Sequence, residues 1–158
     1  MHHEPDHVAP KRVVVSDSAP FKTLCQVINY TLIKSRLAEK ELEQRQDTVI
    51  ASVTSTEVRD DGTTISAQSE MGRYGMVRFT INLESSGDRT GGKAYGGGRG
   101  ALEDGSFLSG TFSGRWRREG TEVVVYGIDE VSNGDMSMLI FRLDARGNDF
   151  SVTHYALD

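Results

Sequence analysis

Tyr95, Arg99, Asp129, Arg142 and Tyr155 are the residues of this chain whose types and spacing could act together on a small molecule. A carboxylate set among guanidinium and phenol groups in a largely apolar space can anchor a carbonyl or carboxylate, or move a proton beside one. No Ser/His/Asp or metal-ligand spacing can be read, so neither a hydrolase triad, a metal nor a cofactor is expected.

Several motifs have the form of a site without its supports. Gly87-Asp-Arg-Thr-Gly-Gly92-Lys93-Ala94 follows the phosphate-loop pattern, but Ala94 stands where a Ser or Thr would ligate magnesium. The following Tyr95-Gly-Gly-Gly-Arg99 will not start a helix, so the dipole that holds a phosphate is missing. Gly96-x-Gly98-x-x-Ala101 fits the dinucleotide fingerprint in form and fails for the same reason. These glycines are expected to let a strand coil tightly, or to keep space open inside a barrel. Met1-His2-His3, with His7 nearby, has a copper- or nickel-binding geometry but reads as a solvated tail. His154 reads as a packed or interface histidine, and Cys25 as a small buried hydrophobe. Asn29-Tyr-Thr31 is a glycosylation sequon with no secretory route, and Asp129-Glu130 with Asp135 reads as solvated surface rather than a cation site.

The elements that would position these groups are legible from the turns. Asp61-Gly62, Asp104-Gly105, Glu119-Gly120 and Asn133-Gly134 each separate runs rich in Val, Ile, Thr, Phe and Tyr. Such dipeptides tolerate the positive φ of tight hairpin turns. The spacing predicts strands at about 47–59, 64–70, 74–84, 93–102, 106–118, 121–131, 136–144 and 149–157. Eight strands in meander order tend to close, because closure removes exposed edges. The expected fold is mainly β: an eight-stranded up-and-down antiparallel β-barrel with an N-terminal helix.

Two-residue turns at those dipeptides, with a four-residue loop at 145–148, set a register. One cross-strand row then runs Arg99, Gly110, Asp129, Met138, Tyr155, and the next Tyr95, Gly114, Val125, Arg142, Ser151. Both rows share a face with Leu108, Phe112 and Trp116, whose alternation with Ser109, Thr111, Ser113 and Arg115 points them inward. The expected ligand-binding set is therefore Tyr95, Arg99, Phe112, Trp116, Asp129, Met138, Arg142 and Tyr155. Arg99 and Asp129 would meet over Gly110, across two strand spacings of roughly 4.8 Å each. The competing reading is a structural ion pair at a barrel mouth, or a register slip that puts these groups in water. Tyr126, Ile128, Leu139, Phe141, Leu143, Phe150 and Val152 then fall outside, a patch too apolar to be left wet. It would be covered by the N-terminal helix or by a second copy in a homodimer, unless inside and outside exchange between strands through a bulge.

Residues 1–17 read as a loose arm with a short strand at 12–16, and 18–158 as one domain, its helix about 19–46 and its barrel about 47–157. Ser18 and Pro20 suit a helix start, and Phe21, Leu24, Cys25, Ile28 and Leu32 fall on one helical face. The stretch 23–33 is also rich in β-formers and equally suits a strand.

The 158 residues, 37% hydrophobic and 26% charged, suit a single globular domain and exclude wholesale disorder. A net charge of −5 argues against a phosphate-backbone binder, so no nucleic acid partner is expected. A single cysteine rules out an internal disulfide and suits a reducing compartment. The opening MHHEPDHVAP has no apolar signal core, and no apolar run reaches the roughly 20 residues of a membrane span. A cytoplasmic protein with no membrane partner is expected.

The eight short strands, the glycine-alternating run Gly105 to Trp116 and the inward polar row resemble the lipocalin-like and allene oxide cyclase-like small barrels. The resemblance covers roughly residues 47–157 and rests on strand count and turn spacing; the lipocalin Gly-x-Trp near the first strand is absent. It implies a small, largely hydrophobic ligand, carrying a carboxylate or carbonyl, held in the barrel. Some relatives cyclise or isomerise such a molecule, here with Asp129 as acid/base and Arg99 or Tyr155 on the oxygen. A third expectation is a protein-interaction module using the apolar outer face. Loss of Arg99 is expected to abolish ligand retention under the first two.

Overall fold

The computed structural model describes residues 42–158. Eight antiparallel strands close in chain order: β1 (Val49–Arg59), β2 (Gly62–Glu70), β3 (Met76–Ser85), β4 (Gly91–Ala101), β5 (Phe107–Glu119), β6 (Glu122–Val131), β7 (Met136–Asp144) and β8 (Asp149–Ala156). Closure leaves no edge on the sheet, as the meander pattern requires. Every strand lies within a few residues of its expected span. The expected helix and arm over 1–41 lie outside the described residues. Residues 42–46, expected as the helix end, instead run alongside β8: Gln44 bridges Tyr155, and the Arg45 amide donates to the His154 carbonyl at 2.8 Å.

Inward side chains follow the period of two. Phe79, Phe112, Phe141 and Phe150 form the centre of the core, with Phe141 edge-on to Phe112 at 5.3 Å and to Phe150 at 5.8 Å between ring centroids. β4 presents only Gly92, Ala94, Gly96, Gly98 and Gly100 to this core. A Cβ at Gly98 would stand 2.7 Å from Phe79 Cβ and 3.0 Å from the Arg78 carbonyl oxygen. Close approach of β3, not room for a ligand, therefore demands glycine there. The phosphate-loop and dinucleotide look-alikes are absorbed into the same strand: Gly91–Ala101 is extended throughout.

The registers divide into those that match the expectation and those that do not. β7 and β8 pair Met138 with Tyr155, as the four-residue loop at 145–148 predicts. β5 and β6 pair Phe112 with Asp129 and Trp116 with Val125, because the turn is Gly120-Thr121 rather than Glu119-Gly120. That shift is two residues, so every face is preserved. β4–β5 and β6–β7 are shifted by one, pairing Arg99 with Ser109 and Ile128 with Met138. The cause is one extra loop residue. The Leu102 amide donates to the Ser106 carbonyl and the Val131 amide to the Asp135 carbonyl, each enclosing a three-residue loop. Gly105 (φ 83°) and Gly134 (φ 96°) occupy the left-handed last position of those loops.

A one-residue shift exchanges the faces. Tyr95, Arg99, Met138, Arg142 and Tyr155 thus lie on the outer face, not in the barrel. Leu139, Phe141, Leu143, Phe150 and Val152 lie inside as buried core, so they form no exposed patch for a homodimer or another partner. Of that expected patch Tyr126 and Ile128 remain outside. Inside and outside do exchange between strands, through loop length rather than a bulge.

Candidate functional site

A cavity of about 70 Å³ lies in the barrel beside the β2–β3 and β6–β7 connections. Its wall is mostly apolar: Met71, Val77, Phe79, Leu108, Phe112, Val131, Leu139, Phe141 and Val152, with Gly98, Gly100 and Gly110 thinning one side. Asp129, His154 and Tyr74 are the ionisable side chains that line it.

Asp129 reaches the cavity by the inward parity of β6, opposite Phe112. Its carboxylate oxygen Oδ1 lies 3.4 Å from where a Cβ on Gly110 would stand. The expectation that Asp129 sits over a side-chain-free Gly110 therefore holds, whereas the expected Arg99 partner is on the other side of the sheet. Among the described residues Asp129 makes no hydrogen bond and no ion pair. Burial pushes its carboxyl up to about 6, opposed by the Arg45 cation and assisted by Asp135 and Glu130.

His154, inward on β8, is 4% exposed and its Nδ1 is sealed without a partner among the described residues. Burial, with the nearby Arg45 cation, lowers the imidazole to about 4, so the ring is neutral. Its ring centroid is 5.7 Å from that of Tyr74. Tyr74 belongs to a 3-10 turn, Gly72–Tyr74, between β2 and β3, with Gly72 and Gly75 at positive φ.

A polar cluster closes this end. The Tyr74 hydroxyl donates to Asp135 Oδ2 at 2.9 Å, and burial with that bond pushes the phenol up to about 12. Arg73 Nη2 lies 3.1 Å from Asp135, and Arg45 Nη1 lies 3.5 Å from it. Arg45 also donates through Nε to Ser137 Oγ at 3.0 Å, through Nη2 to the Met136 carbonyl at 2.8 Å, and to Asp158. Arg45 is only 8% exposed in its side chain, so its donors are committed to these partners rather than to the cavity. Asp135, expected as solvated surface, is the hub of this cluster.

Of the residues expected to bind a ligand, Phe112 and Asp129 line the cavity together. Trp116 is inside but away from it, its Nε1 donating to the Glu84 carbonyl at 2.8 Å. Tyr95 lies under the Lys93 ammonium at 4.9 Å, and Arg142 pairs with Glu122 at 3.4 Å. Arg99 stands opposite Arg78. Tyr74, Arg45 and Ser137 carried no distinguishing sequence signal beyond the Gly-Arg-Tyr-Gly turn around Tyr74. His154 was legible as a packed histidine, but its place in the cavity follows only from the β6–β7 loop. Among the described residues no group of three His, Cys, Asp or Glu side chains could hold a metal ion, and no helix is long and apolar enough to cross a membrane. No protein-family model matches the chain, and no curated protein or solved structure matches it.

Proposed function

We propose that this protein binds a small, largely hydrophobic molecule inside its β-barrel, with the ligand's polar group at Asp129 and His154. The observation that carries this reading is a buried carboxylate with no hydrogen bond among the described residues and a sealed imidazole Nδ1, likewise unpaired among them, both lining one mostly apolar cavity. Buried polar atoms in folded proteins are nearly always paired, so an unpaired one calls for a partner such as an ordered water or a ligand group. A carboxylate on the ligand does not suit this site, because the expected Arg99 and Arg142 anchors lie on the outer face. The test is a comparison of native and denaturing mass spectra of the gently purified full chain. A reproducible extra mass, lost on denaturation and absent from Gly110→Val, supports the reading. An extra mass retained by that variant, whose side chain would fill the space above Asp129, overturns the placement.

The raised carboxyl of Asp129 favours one second reading, an isomerase. An ionised Asp129 would take a proton from the carbon beside a carbonyl and return it to another position, with no net oxidation. Deuterium wash-in from D₂O into the α-carbon of a small ketone such as butanone tests this. Catalysed exchange lost in Asp129→Asn supports it; exchange no faster than the buffer rate rejects it.

A further inference from the structure

We infer that the cavity selects a neutral hydrogen-bond donor of about five heavy atoms, such as a small azole or alcohol, with Asp129 as its acceptor. This rests on the reading of the cavity as a binding site.

Size sets the first limit. The cavity is about 70 Å³, roughly half of the ~150 Å³ that admits benzene in an engineered apolar cavity. A five-membered ring or a chain of similar size is therefore the natural occupant. A long acyl chain or a fused ring is too large.

Charge sets the second. Asp129 is 9% exposed and has no hydrogen-bond partner among the described residues. The charged and titratable groups around it are Arg45 from the segment before β1, Asp135 from the β6–β7 turn, Glu130 on its own strand, His154 on β8 and Tyr74 on the 3-10 turn. Arg45 spends its donors on Ser137, Met136, Asp135 and Asp158, and Tyr74 donates to Asp135. Nothing in this set neutralises a second negative charge, so an anionic ligand is repelled. An O–H or N–H group pointing at Asp129 satisfies the acceptor that Asp129 leaves open, while the Phe79, Phe112 and Phe141 rings pack its apolar remainder. His154 stays neutral and can complement a donor or an acceptor on the same ligand through Nδ1.

Burial holds the Asp129 carboxyl near 6, so the acceptor is mostly ionised above that pH and mostly protonated below it. A ligand that donates to the carboxylate loses its partner as pH falls through about 6.

Furan and pyrazole are matched probes, alike in ring size, of which only pyrazole carries an N–H donor. Each is titrated into the ¹⁵N-labelled full chain at about pH 7.5 and about pH 5, following the amides of Phe112, Asp129 and His154. A hydrogen bond to a charged acceptor is expected to favour pyrazole about tenfold or more at the higher pH. The advantage is expected to fall about tenfold at the lower pH and to vanish in Asp129→Leu. The pH series on the wild type answers the question even if that variant does not fold. Equal binding of furan and pyrazole, or tighter furan, overturns the donor inference and leaves the cavity reading standing. Neither probe shifting these amides overturns both.

Discussion

Phe112 and Asp129 face one another across β5 and β6, both pointing into the barrel. A buried benzyl ring on one strand and a carboxylate on the next leave that carboxylate in a low-dielectric setting. Its guanidinium neighbour Arg45 is turned to other acceptors. The high carboxyl pKa and the open acceptor both follow from this pairing.

Asp129 and His154 should drive the pH dependence of stability in opposite directions. The native state holds the Asp129 proton up to about 6, above its unfolded value of 3.8. Asp129 therefore destabilises the fold above pH 6 and adds stability as pH falls from there towards 4. His154 is held down to about 4, below its unfolded value of 6.5. Its contribution is present above 6.5 and is lost as pH falls towards 4. Each effect is on the order of 3 kcal/mol, so in the wild type they nearly cancel across this window. Urea midpoints at about pH 7 and about pH 4.5 check this. Asp129→Asn should lose stability on acidification and His154→Gln should gain it; parallel slopes in the two variants would refute the assignment.

Gly110 and Gly98 should respond differently to alanine although both face inward. A Cβ at Gly110 meets Asp129 Oδ1 at 3.4 Å and Val131 Cγ2 at 3.7 Å, which is ordinary contact. Gly110→Ala should keep or raise stability by up to about 1 kcal/mol while reducing cavity binding. At Gly98 the new atom would lie 2.7 Å from Phe79 Cβ, against backbone-anchored neighbours. Gly98→Ala should cost about 2 kcal/mol or more by urea unfolding. Equal behaviour of the two would contradict the packing.

Arg45→Met is expected to destabilise the barrel by about 3 kcal/mol, because it strips Asp135 of a largely buried cation and leaves Ser137 and Met136 without a donor. Adding Asp135→Asn should recover part of that loss, since one of the two carboxylates that faced the missing cation is then neutral. A double-mutant cycle on urea midpoints measures the coupling, and additive losses would show that the two residues act separately.

Arg99→Ala should leave cavity binding unchanged and stability within about 0.5 kcal/mol, with any change towards greater stability. Arg99 stands directly opposite Arg78, and neither has an ion-pair partner among the described residues. Removing one of two like charges on facing strands relieves repulsion. Loss of a retained ligand in Arg99→Ala would return Arg99 to the site.

Strand positions and meander order were written into the sequence, because turn dipeptides and period-two alternation act locally. So were the inward places of Phe112, Trp116 and Asp129, since β5 alternates and a two-residue shift at its turn changes no face. The β7–β8 register was equally legible from its four-residue loop. The places of Tyr95, Arg99, Met138, Arg142 and Tyr155 were not. Asp104-Gly105 and Asn133-Gly134 mark a turn without stating whether it spans two residues or three, and that one residue exchanges the faces of the next strand. The core resolved the ambiguity: only the longer loops bury Leu139, Phe141, Leu143, Phe150 and Val152 together. Burial of those five against Phe79 and Phe112 outweighs any gain from a short turn. Tertiary structure alone therefore brought His154 to the same cavity as Asp129, removed the expected arginine partner, and left the buried carboxylate open.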